Sequence, residues 1–214
     1  MSTRGKFVVL EGIDGAGTTT QVAKLAERLR KQKVAVRATR EPSDGPIGTL
    51  VRQMLTGRVV VPDGRAPNWT TMALLFAADR TDHVESEIEP WVATGGVMIS
   101  DRYDASSLAY QSVSSGGEGR AAVEWIRTLN KHAKRPDLTV VLDLPPEVAA
   151  DRREARGEAL QLYEQNEVQR ALAAFYKDLA KHMPQDRVVL IDAGGNIDEV
   201  HERVYEAYRK AFAT

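Results

Sequence analysis

The sequence predicts an α/β fold, a five-stranded, mainly parallel sheet with helices on both faces. Short β-branched apolar runs alternate with longer segments of helical period, so each strand is followed by a stretch long enough for a helical crossover. The runs at 97–100 and 138–142 are apolar or small throughout, as expected of strands covered on both sides. The 214 residues suffice for one continuous core. With no internal repeat or long linker, residues 1–214 read as a single domain.

Residues 6–11 (KFVVLE) form the first strand, stopped by Gly12. Over residues 17–32, Val22, Leu25, Ala26 and Leu29 recur at helical spacing. Residues 34–36 read as the second strand, closed by Glu41-Pro42. A long helical pattern runs over 68–94 through Met72, Leu75, Phe76, Val84, Ile88 and Trp91, with Pro90 expected to kink or restart it. Residues 97–100, 138–142 and 187–191 give the third, fourth and fifth strands, with a helix over 172–183 before the last of them. The final helix starts near Asn196, which with Glu199 makes a capping-box pattern, and carries Ile197, Val200, Val204 and Tyr208 on one stripe. Residues 112–119 and 152–157 read as surface loops.

Composition narrows the class of function. The chain has 29 Lys+Arg against 30 Asp+Glu, a formal charge of −1. No global field draws it to nucleic acid or an anionic membrane, so an anion site must be built locally. The absence of cysteine excludes disulfides, Cys-ligated zinc and thiol catalysis. Apolar runs are far shorter than the roughly 20 residues that span a bilayer. Residues 1–6 run straight into the first strand, leaving no apolar region for a signal peptide. A soluble cytoplasmic protein is the expectation.

The most informative stretch is EGIDGAGTTT at 11–20, between the first strand and the first helix. Gly12, Gly17 and Thr19 stand at the spacing of a phosphate-binding loop, in which backbone N–H groups and a helix N-terminus surround phosphate oxygens. Thr19 is placed to offer its hydroxyl to Mg²⁺. Thr18, however, stands where that pattern has lysine. Alone, the loop also fits a plain strand-to-helix turn. It fits a dinucleotide fingerprint less well, since Thr20 occupies the third glycine position.

Further segments follow in order: TREP at 39–42, LLFAADR at 74–80, SDRYDASSLAYQ at 100–111 and RPDLTVVLDLPPE at 135–147. With FVVLEGIDGAG at 7–17 they make nearly the whole chain resemble the thymidylate kinases. That resemblance implies a P-loop NTPase type of fold with a short lid at about 151–164. It also implies transfer of the γ-phosphate of ATP to dTMP with Mg²⁺. It assigns Gly12, Ile13, Asp14, Gly15, Ala16, Gly17, Thr18 and Thr19 to ATP, together with lid residues Arg153 and Arg156. It assigns Asp14, Glu41, Arg52, Phe76, Arg80, Arg102, Ser107, Tyr110 and Gln111 to dTMP. Phe76 would stack on the base, Arg80 one helical turn away would bond its edge, and Tyr110 would crowd a 2′-hydroxyl. Thr19 and Asp101 would serve the metal. Arg102, Arg153, Arg156 and Asp14 would carry the transfer, and residues 193–194 would border the adenine.

Two departures from the family pattern touch the donor side: Thr18, and QLYE at 161–164 in the lid. Either Arg102, Arg153 and Arg156 with Mg²⁺ supply the missing charge, or the protein binds nucleotide without useful turnover. A third possibility is another pyrimidine monophosphate, such as dUMP, as acceptor. The resemblance also implies a homodimer, consistent with an apolar stripe over 68–94 broader than one sheet face would cover.

Overall fold

The strand that leads into the glycine loop lies at the centre of the sheet. In the computed structural model, which describes residues 4–156, 162–163 and 165–213, β1 (Lys6–Gly12) is flanked by β3 (Val97–Asp101) and β4 (Leu138–Asp143). Strands β2 (Val36–Arg40) and β5 (Val188–Asp192) form the edges, giving the order β2-β3-β1-β4-β5, parallel throughout. Leu10 pairs with Asp101 and Gly12 with Leu142, so the C-terminal ends of three strands meet at one rim. Chain order reverses across β1, which opens a ligand crevice at that rim in sheets of this type.

Side-chain alternation along β1 feeds two clusters. Val8 and Leu10 join Ile99 and, from α1 (Thr18–Lys31), Leu25 and Leu29, all buried. Phe7 and Val9 pack with Ile88, Val92, Met98 and Tyr103, the Phe7 and Tyr103 rings meeting edge to face at 4.9 Å. Truncating a Leu25-type core residue to Ala costs about 2–5 kcal/mol.

The long helical segment is α3 (Trp69–His83), a π-helical turn (Val84–Ile88) and α4 (Glu89–Ala93), with Pro90 in the first turn of α4. The backbone stays helical throughout, so Pro90 neither ends nor restarts the segment but follows its π-helical turn. Asn196 caps α10 (Ile197–Phe212) with the full capping box.

Four boundaries differ from expectation. The helix expected over 172–183 starts earlier, at Asn166, and is interrupted at Asp178. Lys33 adopts a left-handed φ of 63°, and the Val34 N–H closes the end of α1 by bonding Leu29 O at 3.0 Å. The second strand consequently begins at Val36, where the apolar run ends. Residues 152–156 are helical, the end of α7 (Pro146–Arg156). The Arg153 side chain is buried there, its Cγ packed against Gly15. Residues 112–113 extend α5 (Asp104–Val113), where the Ser112 hydroxyl bonds back to the Leu108 and Ala109 carbonyls, and Gly119 opens α6 (Gly119–Leu129). The remaining helices are α2 (Pro46–Leu55), α8 (Asn166–Lys177) and α9 (Leu179–His182). Residues 157–161 and 164 of the lid stretch, and the Arg156 side chain, lie outside what the structure describes.

Candidate active site

The loop over 12–17 joins the buried end of β1 to the first turn of α1, so the unbonded N–H groups of that turn face the rim. Gly15 has φ +93°, and a Cβ there would come within 2.5 Å of Ala149 O in α7. Only glycine lets α7 pack this closely on the loop. That contact delivers Arg153, whose Nη1 donates to Asp14 O at 2.5 Å. Arg152, one residue earlier, reaches the Ala193 and Gly195 carbonyls at 3.3 Å. Thr18 is buried, and the exposed Thr19 donates its hydroxyl to Asp101 Oδ2 at 2.5 Å.

Asp14 is the hub of the loop. Its N–H donates to Gln169 Oε1 at 3.1 Å, and Oδ2 accepts from Gln169 Nε2 at 2.8 Å. Its other carboxylate oxygen accepts from Arg102 Nη2 at 2.6 Å. Arg102 Nη1 donates to Gly12 O at 2.8 Å, tying this guanidinium to the loop at two points. Arg102 follows β3 with a left-handed φ of 69°, a conformation that costs an L-residue about 1–3 kcal/mol and recurs at functional sites. Burial works against its charge, but Tyr110, Asp14, Tyr176 and Asp101 outweigh it and hold the guanidinium firmly protonated.

Beside the loop lies a cavity of about 150 Å³ lined by Asp14, Glu41, Phe76, Arg80, Arg102, Ser107, Tyr110 and Gln111. Eight of the nine residues that the sequence reading groups at the acceptor therefore converge on one space. Arg52 does not line it. Its Nη1 donates to the Pro42 and Ser43 carbonyls, both at 2.6 Å, and so braces the turn behind Glu41. Arg80 is fully buried, donating to Asn130 Oδ1, to Ser107 Oγ at 3.0 Å and to Tyr103 O at 3.2 Å. Its Nη2 also lies 2.7 Å from Glu41 Oε2, close enough for charge pairing but poorly aligned for a hydrogen bond. Among the described residues the Tyr110 hydroxyl and Gln111 Oε1 are buried without a hydrogen bond of good geometry, although Tyr110 faces Asp14 and Gln111 faces Tyr163. Leaving such atoms unmet costs about 1–3 kcal/mol each.

Behind Arg102 is Glu11, wholly buried at the end of β1. Oε1 accepts from Tyr103 N at 2.8 Å and Ser106 N at 3.2 Å. Oε2 accepts from Ser106 Oγ at 2.7 Å and the Tyr176 hydroxyl at 2.9 Å. Burial drives this carboxyl up from 4.5 to about 7, against the pull of Arg102 and these donors. Glu11 fixes the start of α5, the helix that carries Ser107, Tyr110 and Gln111.

Sequence reasoning missed Glu11, Pro42, Leu55, Tyr103, Ser106, Tyr163 and Gln169. Glu11 was visible as a charged residue ending an apolar strand, a pattern that asks for buried partners. Gln169 gave no local signal, since it meets Asp14 from 155 residues away. Tyr163 lines the cavity and meets the Tyr110 ring edge-on at 5.4 Å. Leu162 N–H bonds Leu55 O at 3.3 Å. The unusual 161–164 stretch thus has its described part at the acceptor cavity.

Comparison with known proteins fits this geometry. The model of the family described as Thymidylate kinase matches residues 10–204. The "Probable thymidylate kinase" of Pyrococcus abyssi is 41% identical over 201 residues, 94% of each chain. The Thymidylate kinase of Caulobacter vibrioides is 38% identical over 204 residues, covering 92% of this chain and 93% of its own. That of Rhodopseudomonas palustris is 36% identical over 213 residues, 98% and 90% respectively.

Proposed function

Because the chain belongs to the thymidylate kinase family, we propose that it transfers the γ-phosphoryl group of ATP to dTMP, giving dTDP and ADP. One observation carries the reading: Arg102 lines the acceptor cavity while bonded to Gly12 and Asp14 of the glycine loop, so one guanidinium borders both half-sites. Phosphoryl transfer asks the protein for alignment and positive charge more than for covalent chemistry. Arg102 supplies that charge where acceptor and donor phosphates meet, and Asp14 keeps it aimed.

The cavity suits a deoxynucleoside monophosphate. Phe76 offers a ring to stack on a base. Arg80 and the unmet Gln111 Oε1 offer polar groups for a base edge. In this reading the Tyr110 hydroxyl and Asp14, which both line the cavity, would face the sugar, and the Tyr110 ring would crowd a 2′-hydroxyl. Arg52 acts one step back, by bracing the turn that presents Glu41.

On the donor side, backbone N–H groups of 12–19 would cradle the phosphates of ATP. Arg153, anchored on Asp14 O, would bring charge from α7 in place of a lysine at 18. Asp101 fits a divalent cation, because its Oδ1 is buried without a partner while Oδ2 accepts from Thr19. Mg²⁺ takes only one or two protein groups beside phosphates and water. The Thr19 hydroxyl and Asp101, directly or through water, would hold it. When bound there, the ion would supply positive charge to the phosphates. Among the described residues no helix is long and apolar enough to cross a membrane. The substrates place the activity in the cytoplasmic nucleotide pool. Exposed Leu50 and Leu74 on α2 and α3 support a homodimer through those helices.

A coupled ADP-release assay with dTMP and ATP-Mg²⁺ tests the reading, with dTMP competed against dUMP, dCMP and dGMP. Turnover is expected with dTMP, and purines are expected to be refused. Saturable dTMP binding without turnover above background would instead make this a nucleotide-binding protein. Preferred use of dUMP would move the acceptor.

A further inference from the structure

His83 ends α3 behind the acceptor cavity, and its side chain is only 1% exposed. Nδ1 lies 3.3 Å from Glu41 Oε1, and Nε2 lies 2.8 Å from Thr39 Oγ1 and 3.3 Å from Glu87 Oε2. Thr39 Oγ1 is in turn 3.0 Å from Glu87 Oε2. The hydrogens in this cluster can be counted. Glu87 as a carboxylate only accepts, so the single Thr39 hydroxyl hydrogen goes to it. Thr39 Oγ1 is then left as acceptor for Nε2–H. Glu41, beside Arg80, is also a carboxylate and only accepts, so Nδ1 must carry a hydrogen too. A ring with hydrogens on both nitrogens is an imidazolium.

Resting on the thymidylate kinase reading, we propose that His83 is a positioning residue for acceptor recognition: as an imidazolium between Glu41 and Glu87 it orients the Glu41 carboxylate that faces Arg80. Glu41 presents Oε1 to His83 and Oε2 to Arg80, so it joins the two cations. The Arg80 guanidinium in turn contacts Ser107 at the cavity wall. With a neutral ring, Glu41 keeps one cation where it had two, and its buried carboxylate turns toward Arg80. The π-helical turn immediately after His83 carries Glu87, and turns of that kind cluster at functional sites. Burial works to discharge the ring, but the bond to Glu41 and the charges of Glu41, Glu87 and Asp79 hold its pKa above the ordinary 6.5. Asp44, on the loop after β2, adds negative charge nearby, and Arg80 opposes it from one turn earlier in α3.

Histidine-labelled NMR of the ligand-free protein should show His83 mainly as an imidazolium at pH 6.5; a mainly neutral ring there overturns the inference. His83→Gln should raise the dTMP KM about 10- to 100-fold, the worth of one hydrogen bond to a charged group. The kcat and the ATP KM should stay within about threefold. In the wild type, dTMP affinity should fall as pH rises above 6.5 through the pKa of His83. Where His83→Gln fails to fold, Glu87→Gln, at a partly exposed site, should move the same fall to lower pH. Equal loss of kcat and kcat/KM in His83→Gln, or an unmoved profile in Glu87→Gln, refutes positioning. Binding of dTMP measured by calorimetry decides the affinity arm even if the wild type releases no ADP, a result that sinks the kinase reading alone.

Discussion

Glu11 turns the cost of the site into a measurable quantity. It lies in the centre of the sheet, and burial lifts its carboxyl from 4.5 to about 7 despite four donors and nearby Arg102. Between those pH values an unfolded chain has released a proton that the folded protein keeps. The folded state binds more protons, so its stability falls as pH rises through that window. At roughly 1.4 kcal/mol per pH unit, the climb from 4.5 to about 7 corresponds to about 3 kcal/mol. Below about 4.5 the contribution is complete, and above about 7 it is gone. Urea unfolding of wild type and Glu11→Gln across pH 4 to 8 isolates the effect, because other titrating groups cancel in the difference. The wild-type advantage over the variant is expected to shrink by about 3 kcal/mol across the window and then level off. A difference that is flat, or that grows with pH, refutes the reasoning and means the donors hold Glu11 ionised throughout.

Three further outcomes follow from the geometry. Arg102→Lys keeps the charge but loses the two-point attachment to Gly12 and Asp14, and kcat should fall about 10²- to 10³-fold in the ADP-release assay with folding intact. Thr18→Lys should raise kcat by less than about tenfold, because Arg102 and Arg153 are already fixed on the loop; a gain of about 10²-fold or more would show that they do not replace the lysine. Leu74→Glu, at a site 51% exposed, should convert a dimer to monomer in light scattering, and a wild-type monomer would remove the proposed interface.

Legibility in the sequence followed the range of the interactions involved. Four of the five strands, the helix after the loop and the capped last helix were readable because each is set by local periodicity or by a cap with a three-residue spacing. The second strand was misplaced because it is an edge: Arg37, Thr39 and Arg40 give it no apolar run, and the nearby valine at 34 belongs to the end of α1. The end of α7 read as a loop because its charges, Arg152 and Arg153, are spent on carbonyls that no local pattern reveals. At the site, the residues that would face substrate came from motif order. The residues that hold them did not: Gln169 on Asp14, Asn130 on Arg80, His83 on Glu41. Each of these is a tertiary contact between side chains at least 42 positions apart in the chain.

Those supporting contacts also bear on why a glycine loop without its lysine can persist. A fixed cation near a phosphate is useful to the extent that it is oriented before substrate arrives. Here Arg80, Arg102 and Arg153 are each held by oxygen atoms of the protein, so none has to find its position during the reaction. That orientation works against stability through a left-handed Arg102, a wholly buried Glu11 and unmet polar atoms on Tyr110 and Gln111. The opposing terms come from the two core clusters on either side of β1 and from the capped α10, which no substrate touches in this reading. On the function proposed above, arginines serving in place of one lysine would move the electrostatic work from a local motif to the tertiary fold. It follows that substitutions at Gln169 or Asn130, remote in sequence from the loop, should impair turnover more than substitutions at the exposed Thr20 beside it.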